Sequence, residues 1–115
     1  YPEICKGISN NLRKLRKDFP GAMQGFSALA AAATRDGALD KKTKELIALA
    51  IGIAVRCDGC IGFHTQALAK LGATRHEVEE TLGMAVYMGG GPSLMYAADA
   101  IAAFEQFEKE QGAAA

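Results

Sequence analysis

Apolar residues recur at spacings of three and four along most of the chain, the pattern of helices that bury one face. The first such stripe covers residues 4–19, and Pro20-Gly21 ends it. A second covers residues 23–33 and closes before Asp36-Gly37. Asp40 is then a good N-cap for a third helix. No stretch alternates between polar and apolar residues, so we predict helices and no sheet.

The third helix carries the most apolar stretch of the chain. From Leu46 to Val55 every residue is apolar or glycine. A helix that is apolar all round is buried on all sides. A monomer of 115 residues can hardly enclose one helix completely. We therefore predict that subunits share the burial in a homo-oligomer.

The second half of the chain predicts three further helices. One continues through residues 67–71, and Gly72 is placed to end it. Thr74 and Glu77 have the spacing of a capping box at the start of the next. The segment 89–92 then stops this helix and, through its proline, opens the last one. The apolar stripe of the last helix is Leu94, Ala97, Ile101 and Phe104, running out at Glu108. We predict an all-α, oligomeric, single-domain bundle of five to six helices over residues 1–115.

Composition narrows the class of protein. Lys plus Arg and Asp plus Glu are both 13, so nothing indicates nucleic-acid binding. The longest apolar run is that of residues 46–55, whereas a transmembrane helix needs about 20 residues. Three cysteines without a leader do not resemble the disulfide framework of a secreted domain. We expect a soluble, cytoplasmic protein with no membrane or nucleic-acid partner.

The candidate chemistry lies in residues 55–64. Cys57 and Cys60 are three positions apart, and His64 follows four positions later. On a helix that begins near Cys57, these offsets fall on one face. Free backbone N–H groups and the helix dipole at that end favour the thiolate over the thiol. This residue set can therefore support thiol chemistry.

Three interpretations of this cluster compete. In the first, the two thiols form a redox pair and the imidazole carries a proton. In the second, Cys57, Cys60 and His64 bind zinc with His76 as the fourth ligand. In the third, the cysteines are inert packing residues, as we expect for Cys5. The paired spacing beside a histidine favours redox chemistry.

The order of these motifs resembles a known family. Residues 44–50, then Cys57-Asp58-Gly59-Cys60, then His64, are similar to the alkylhydroperoxidase D-like group of the carboxymuconolactone decarboxylase family. Residues 87–92 are similar to the family's later glycine–proline connector, and the resemblance covers roughly residues 38 to 104. It implies one alkylhydroperoxidase D-like helical domain that assembles as a homotrimer or homohexamer.

The resemblance also implies an activity, the reduction of hydrogen peroxide or an alkyl hydroperoxide. Cys60 would be the peroxidatic thiol and Cys57 the resolving one. His64 would take the proton from Cys60, and Glu45 would complete the proton relay. No cofactor or metal is implied, but a dithiol reductant is, which in the family can be a lipoyl-bearing protein.

One residue departs from the family pattern, and another lies far from the cysteines along the chain. Gly59 stands where the best-known peroxidases of the family have a histidine. Glu45 precedes Cys57 by twelve positions, about 18 Å along a straight helix. Even if the chain reverses after Cys57, we expect that a kink, a water or a neighbouring subunit is needed for Glu45 to reach the relay.

Two other functions stay open. One is a lyase that decarboxylates a carboxymuconolactone-like acid, although a lyase has no need of two thiols. The other is a non-enzymatic module that binds zinc or senses redox state. Dependence on the thiol state separates the peroxidase from the lyase, and metal analysis tests the zinc module.

Overall fold

The structure, a computed structural model, describes residues 1–114, and within them the chain forms six helices and no strand. The helices are α1 (Pro2–Asp18), α2 (Pro20–Ala33), α3 (Lys41–Ala54), α4 (Asp58–Lys70), α5 (Arg75–Gly89) and α6 (Gly91–Ala114). The all-α fold and the number of helices confirm the prediction. Ala115, the last residue of the expected domain, lies outside the described residues.

Local sequence signals account for the helix boundaries. The Asp40 carboxylate accepts a hydrogen bond of 2.8 Å from the Thr43 amide at the start of α3. Thr74 and Glu77 form the predicted capping box at the start of α5. Gly72 adopts a φ of 75° just after α4, the left-handed conformation that glycine tolerates best. These predicted starts and stops are confirmed.

Helices α3, α4, α5 and α6 pack against one another and form the core. α3 lies between α4 and α5, and α6 covers the other side of both. The buried apolar side chains of α3, α4 and α5 are Leu49, Ile53, Ile61, Leu68, Val78, Leu82 and Ala85. This core holds α3 and α4, the two helices that carry the candidate site, in one fixed arrangement.

The apolar face of α6 is rotated from the predicted stripe. Ala97 and Phe104 are buried as expected, but Leu94 is exposed and its neighbour Ser93 is buried. Ala100 and Ala103 also face the core. Short alanine side chains let α6 approach the other helices closely, which the spacing of larger apolar residues alone did not reveal.

The first two helices lie outside this core. α1 packs across α4 and α6, and its predicted stripe is only partly covered, with Cys5 as the one buried residue of the helix. Among the described residues, α2 packs only against α1 and has no buried residue. The α2 helix therefore adds nothing to the core of its own chain.

The apolar helix α3 is buried on one side only. Leu49 and Ile53 are fully buried, whereas Ile47, Ile51 and Val55 are exposed. One chain therefore does not achieve the burial on all sides that the sequence predicts, and the homo-oligomer stays a prediction. None of the described helices combines the length and hydropathy that crossing a membrane requires.

Candidate functional site

A tight turn joins α3 to α4 and positions the two cysteines. The Cys57 amide donates to the Gly52 carbonyl at 2.9 Å and the Arg56 amide to the Ile53 carbonyl at 3.1 Å. This pair of bonds is a Schellman motif, with Arg56 in the left-handed position at a φ of 62°. The turn reverses the chain, so α4 runs back along α3.

The cysteine pair forms the first turn of α4. Cys57 is the N-cap of the helix, and its Sγ accepts a hydrogen bond of 3.1 Å from the Cys60 amide. The two sulfurs are joined in a disulfide. The helix therefore begins where the sequence predicts, and both sulfurs lie at the positive end of its dipole, where a negative charge is stabilised.

Glu45 and His64 form a second pair beside the cysteines. The Nδ1 atom of His64 lies 2.6 Å from Oε2 of Glu45, which is only 6 % exposed. A buried carboxylate of this kind needs a hydrogen-bonding partner, and the half-buried imidazole supplies it. In the tautomer whose Nδ1–H donates to this carboxylate, Nε2 is the proton-accepting nitrogen of the ring.

The expectation that a kink, a water or a neighbouring subunit must bridge Glu45 to the relay is wrong. α4 returns along α3 with Cys60 beside Gly52. From there Glu45 is seven residues back along α3, about 10 Å, and His64 four residues along α4, about 6 Å. The two side chains span the remaining few ångströms directly. In the described part of the chain, no hydrogen bond links this pair to the cysteines.

Gly52 sets how closely α3 approaches the cysteine pair. A Cβ atom built on Gly52 would lie 2.8 Å from the Cβ of Cys60, a distance that real Cβ atoms do not show. Only glycine lets the two helices meet at this point. Gly52 was not among the predicted site residues, although a glycine inside a ten-residue apolar helix run was the available signal.

Gly59 also lies in close contact with α1. A Cβ atom at this position would lie 2.9 Å from the Cδ1 atom of Ile8. The side chain of α1 thus occupies the space into which a residue at position 59 would extend. A side chain at position 59 would therefore need the far end of the Ile8 side chain to move.

The start of α4 is also anchored to the first residue of the chain. The Tyr1 hydroxyl donates to Oδ1 of Asp58 at 3.3 Å. Burial, and then the nearby carboxylates of Asp99 and Asp58, raise the pKa of the Tyr1 hydroxyl above its ordinary value of 10.0. Tyr1 therefore stays a neutral donor to Asp58, a contact that the sequence did not predict.

The third cysteine is separate from the pair. Cys5 has a free thiol, is buried, and packs so closely on α4 that a Cβ atom on Gly62 would lie 2.6 Å from its Sγ. Burial raises the pKa of the Cys5 thiol. It stays protonated at neutral pH, as expected for a small packing residue.

The four residues of the zinc interpretation are not brought together. The His76 side chain is 95 % exposed in the first turn of α5 and lies 3.6 Å from a Glu79 oxygen. His64 is held by Glu45 instead. Across residues 1–114, no group of three or more His, Cys, Asp or Glu side chains is placed to hold a metal ion. The described residues therefore do not assemble the four-ligand set with His76.

The protein is thus an all-α fold. It carries a cysteine pair at a helix start and a carboxylate–histidine pair one turn further on. Residues 20–103 match the model of the carboxymuconolactone decarboxylase family, and the chain belongs to that family. The family resemblance of the motifs is therefore confirmed.

Solved structures agree with this assignment. The chain is 66 % identical to a carboxymuconolactone decarboxylase family protein from Legionella pneumophila, with 93 % of this chain and 96 % of that chain covered and a TM-score of 0.91. A family protein from Thermotoga maritima is 27 % identical over 96 % of this chain and 94 % of its own, with a TM-score of 0.85. An uncharacterized protein from Cupriavidus necator is 44 % identical over 98 residues, 85 % of this chain and 87 % of its own length.

Proposed function

We propose that this protein is a thiol-dependent peroxidase that reduces hydrogen peroxide or an organic hydroperoxide and cycles through the Cys57–Cys60 disulfide. The observation that carries the proposal is the disulfide in the first turn of α4, one turn before the imidazole that Glu45 holds. A role in the antioxidative response has been suggested for the Thermotoga maritima protein, and such a role agrees with this chemistry.

Oxidation begins at Cys60 in this proposal. His64 takes the proton of the Cys60 thiol, and Glu45 stabilises the imidazolium that forms. The thiolate attacks one peroxide oxygen and the O–O bond breaks. Cys60 becomes a sulfenic acid, and the proton held by His64 leaves with the alcohol, or with water when the substrate is hydrogen peroxide.

Resolution and recycling follow. The Cys57 thiol attacks the Cys60 sulfenic acid, releases water and forms the disulfide. A dithiol reductant then attacks the disulfide at Cys57 and restores both thiols, while the reductant itself becomes a disulfide. We expect a lipoyl-bearing protein as this partner. The protein itself supplies the sulfur that is oxidised, so the chemistry requires no cofactor.

The proposal includes the setting of the enzyme. A thiol peroxidase that depends on reduced dithiols fits the cytoplasm, where thiols are kept reduced. The assembly expected from the family resemblance is a homotrimer or homohexamer of one helical domain over residues 1–115. The exposed apolar side chains of α3 support an assembly of this kind.

Serine substitutions of the three cysteines test the proposal. Cys60→Ser should abolish turnover, because the thiol that attacks the peroxide is lost. Cys57→Ser should still be oxidised once at Cys60 but should not recycle, because the resolving thiol is lost. Cys5→Ser is the matched control and should keep the parent's rate. The measurement is hydroperoxide consumption in the presence of a lipoamide-type dithiol, combined with the mass of each protein after one equivalent of oxidant.

Each outcome has a clear meaning. A mass lower by two hydrogens in the parent, mapped to Cys57 and Cys60, supports the redox pair. Hydroperoxide consumption that is equal in the parent and in both site variants would show that the assignment is wrong. A decarboxylating lyase would instead act on a lactone acid whether its thiols are reduced or oxidised.

A further inference from the structure

A cleft between α1, α4 and α6 lies on the opposite side of α4 from the redox pair. Its volume is about 300 Å³, enough for about ten water molecules. Cys60 of α4 lies against Gly52 of α3. Gly62, which is about 200° away around the same helix, lies against Cys5 of α1, and Cys5 lines the cleft. The cleft is therefore separate from the site of the proposed peroxide chemistry.

The inner wall of this α1–α4–α6 cleft is apolar. Phe107 of α6 is 2 % exposed, Cys5 of α1 is buried, and Phe63 of α4 is half-buried. Three helices thus supply one wall, and their packing fixes its shape. Clefts of roughly this volume that are lined by apolar and aromatic side chains are the usual binding sites for small molecules. The wall suits a hydrocarbon chain or an aromatic ring.

The rim of the cleft is polar and carries more positive than negative charge. Lys6 and Arg13 lie seven residues apart on the same face of α1, about 10 Å along the helix. Glu110 of α6 is the third charged residue of the lining. Among residues 1–114, none of these three side chains forms an ion pair. The two cations are therefore available to an anion from solution.

Neutral hydrogen-bonding groups complete the lining. Ser9 and Asn10 of α1 contribute a hydroxyl and an amide, and Gln66 of α4 contributes a second amide. Groups of this kind orient a bound molecule. An inorganic anion would leave the apolar wall uncovered, and a plain hydrocarbon would leave the cations without a partner. A molecule with an anionic head and an apolar tail satisfies both parts of the cleft.

We propose that the α1–α4–α6 cleft binds a small organic carboxylate with an apolar tail, of about ten non-hydrogen atoms in all. The carboxylate pairs with Arg13 or Lys6, and the tail lies against Phe63 and Phe107. Neither cysteine of the redox pair nor the Glu45–His64 pair lines the cleft. Binding of the carboxylate therefore does not depend on the peroxidase activity, and each can be tested without the other.

Octanoate is a carboxylate of this size and is the probe. Equilibrium dialysis with radiolabelled octanoate measures its Kd, and competition by octan-1-ol and by octylamine tests the head group with the tail unchanged. Arg13→Gln and, separately, Lys6→Gln remove one exposed cation of the rim. Arg16→Gln makes the same change on α1 outside the cleft and is the control.

A second measurement locates the bound octanoate. In the oxidised protein Cys5 is the one free thiol, since the other two cysteines form the disulfide. Mass spectrometry can therefore follow the alkylation of Cys5 by iodoacetamide with and without octanoate. A ligand in the cleft covers this side chain and should slow its alkylation.

We expect octanoate to bind with a Kd on the order of 100 µM, and both competitors to bind about tenfold more weakly. Arg13→Gln and Lys6→Gln should each raise the Kd about threefold to tenfold, whereas Arg16→Gln should leave it unchanged. Saturating octanoate should slow the alkylation of Cys5 about tenfold.

Four results would overturn the proposal. The first is no binding of octanoate at millimolar concentration, and the second is octylamine competing as well as octanoate itself. The third is binding that leaves the alkylation rate of Cys5 unchanged. The fourth is a Kd that Arg16→Gln raises as much as Arg13→Gln does, because the carboxylate would then lie elsewhere on α1.

Discussion

Arg56 holds a backbone conformation that suits glycine better. Its φ of 62° lies in the left-handed region, where the Cβ atom of an ordinary residue costs roughly 1–2 kcal/mol. The position is the end of the Schellman motif that reverses the chain before Cys57. The turn is therefore built at some cost in stability, which the packing of α3 against α4 offsets.

We predict that Arg56→Gly raises the free energy of unfolding by about 0.5–1 kcal/mol. Glycine relieves the strain of the left-handed conformation, but its larger chain entropy in the unfolded state offsets part of that gain. Denaturant unfolding of the oxidised protein measures the change. Arg56→Ala removes the guanidinium but keeps the Cβ atom, so it should stay within about 0.5 kcal/mol of the parent. A loss of stability with glycine would contradict the argument.

At Gly52, a substitution should have the opposite effect on stability. Gly52→Ala places a methyl group 2.8 Å from the Cβ of Cys60, so α3 and α4 must move apart. We expect a loss of about 1–3 kcal/mol in the free energy of unfolding and slower hydroperoxide reduction, because the Glu45–His64 pair spans the same two helices. Gly7→Ala in α1 is the control, since no atom lies near its Cβ position, and it should stabilise the protein by up to about 1 kcal/mol. Equal effects of the two substitutions would refute the close-contact explanation.

At the scale of the helices, one carboxylate caps the first turn of α3 and another that of α5. Hydrogen bonds from Thr43 lower the pKa of Asp40 below its ordinary value of 3.8. A hydrogen bond from Lys42, followed by one from the Thr74 amide, lowers the pKa of Glu77 below 4.5. Both groups are ionised more readily in the folded chain. Their contribution to stability is therefore present above about pH 5 and is lost as the pH falls through the lowered values.

We therefore predict that acid weakens the fold partly through these two caps. The free energy of unfolding should fall from pH 5 to pH 3, and Asp40→Asn combined with Glu77→Gln should make that fall shallower. Asp18→Asn removes a carboxylate that forms no hydrogen bond or ion pair in the described structure. This control should leave the fall of the unfolding free energy with pH unchanged. Denaturant titrations at half-unit pH steps provide the comparison. An unchanged slope in the double variant would show that the caps do not contribute.

Much of this helical architecture follows from local signals. Capping residues such as Asp40 and Thr74 were readable in the sequence, because one side chain and one turn decide each boundary. The Glu45–His64 contact could not be read from the sequence, because it depends on the angle at which α4 returns along α3. Sequence spacing gives distances along a helix but not the crossing of two helices, so the residues were named and their direct contact was missed.

At the scale of the whole molecule, apolar surface exceeds what one chain can cover. Patterning predicted a shared burial of α3 but did not identify the surface that covers it. The partner could not be read from the sequence, because the pattern shows which faces are apolar and not which of them meet. The number of subunits in the assembly cannot be read from the pattern either, and it stays a prediction.

If the copies associate, thermal stability should depend on protein concentration. Dilution favours dissociated chains by mass action, so the Tm should fall by a few degrees for each tenfold dilution of the parent. Differential scanning fluorimetry or circular dichroism provides the melting curves. A concentration-independent Tm in the parent would contradict a folded assembly that dissociates on unfolding.

The hydrogen bond from the Cys60 amide to Cys57 Sγ turns one backbone proton into a spectroscopic reporter. A thiolate, a thiol and a disulfide sulfur attract that proton to different extents. A chain labelled with ¹⁵N only at its three cysteines yields three amide signals. The Cys60 signal should shift with each change at Cys57, while that of the buried Cys5 stays in place. The position and intensity of this one resonance then report the fractions of oxidised and reduced protein in solution, while hydroperoxide and dithiol compete for the cysteine pair.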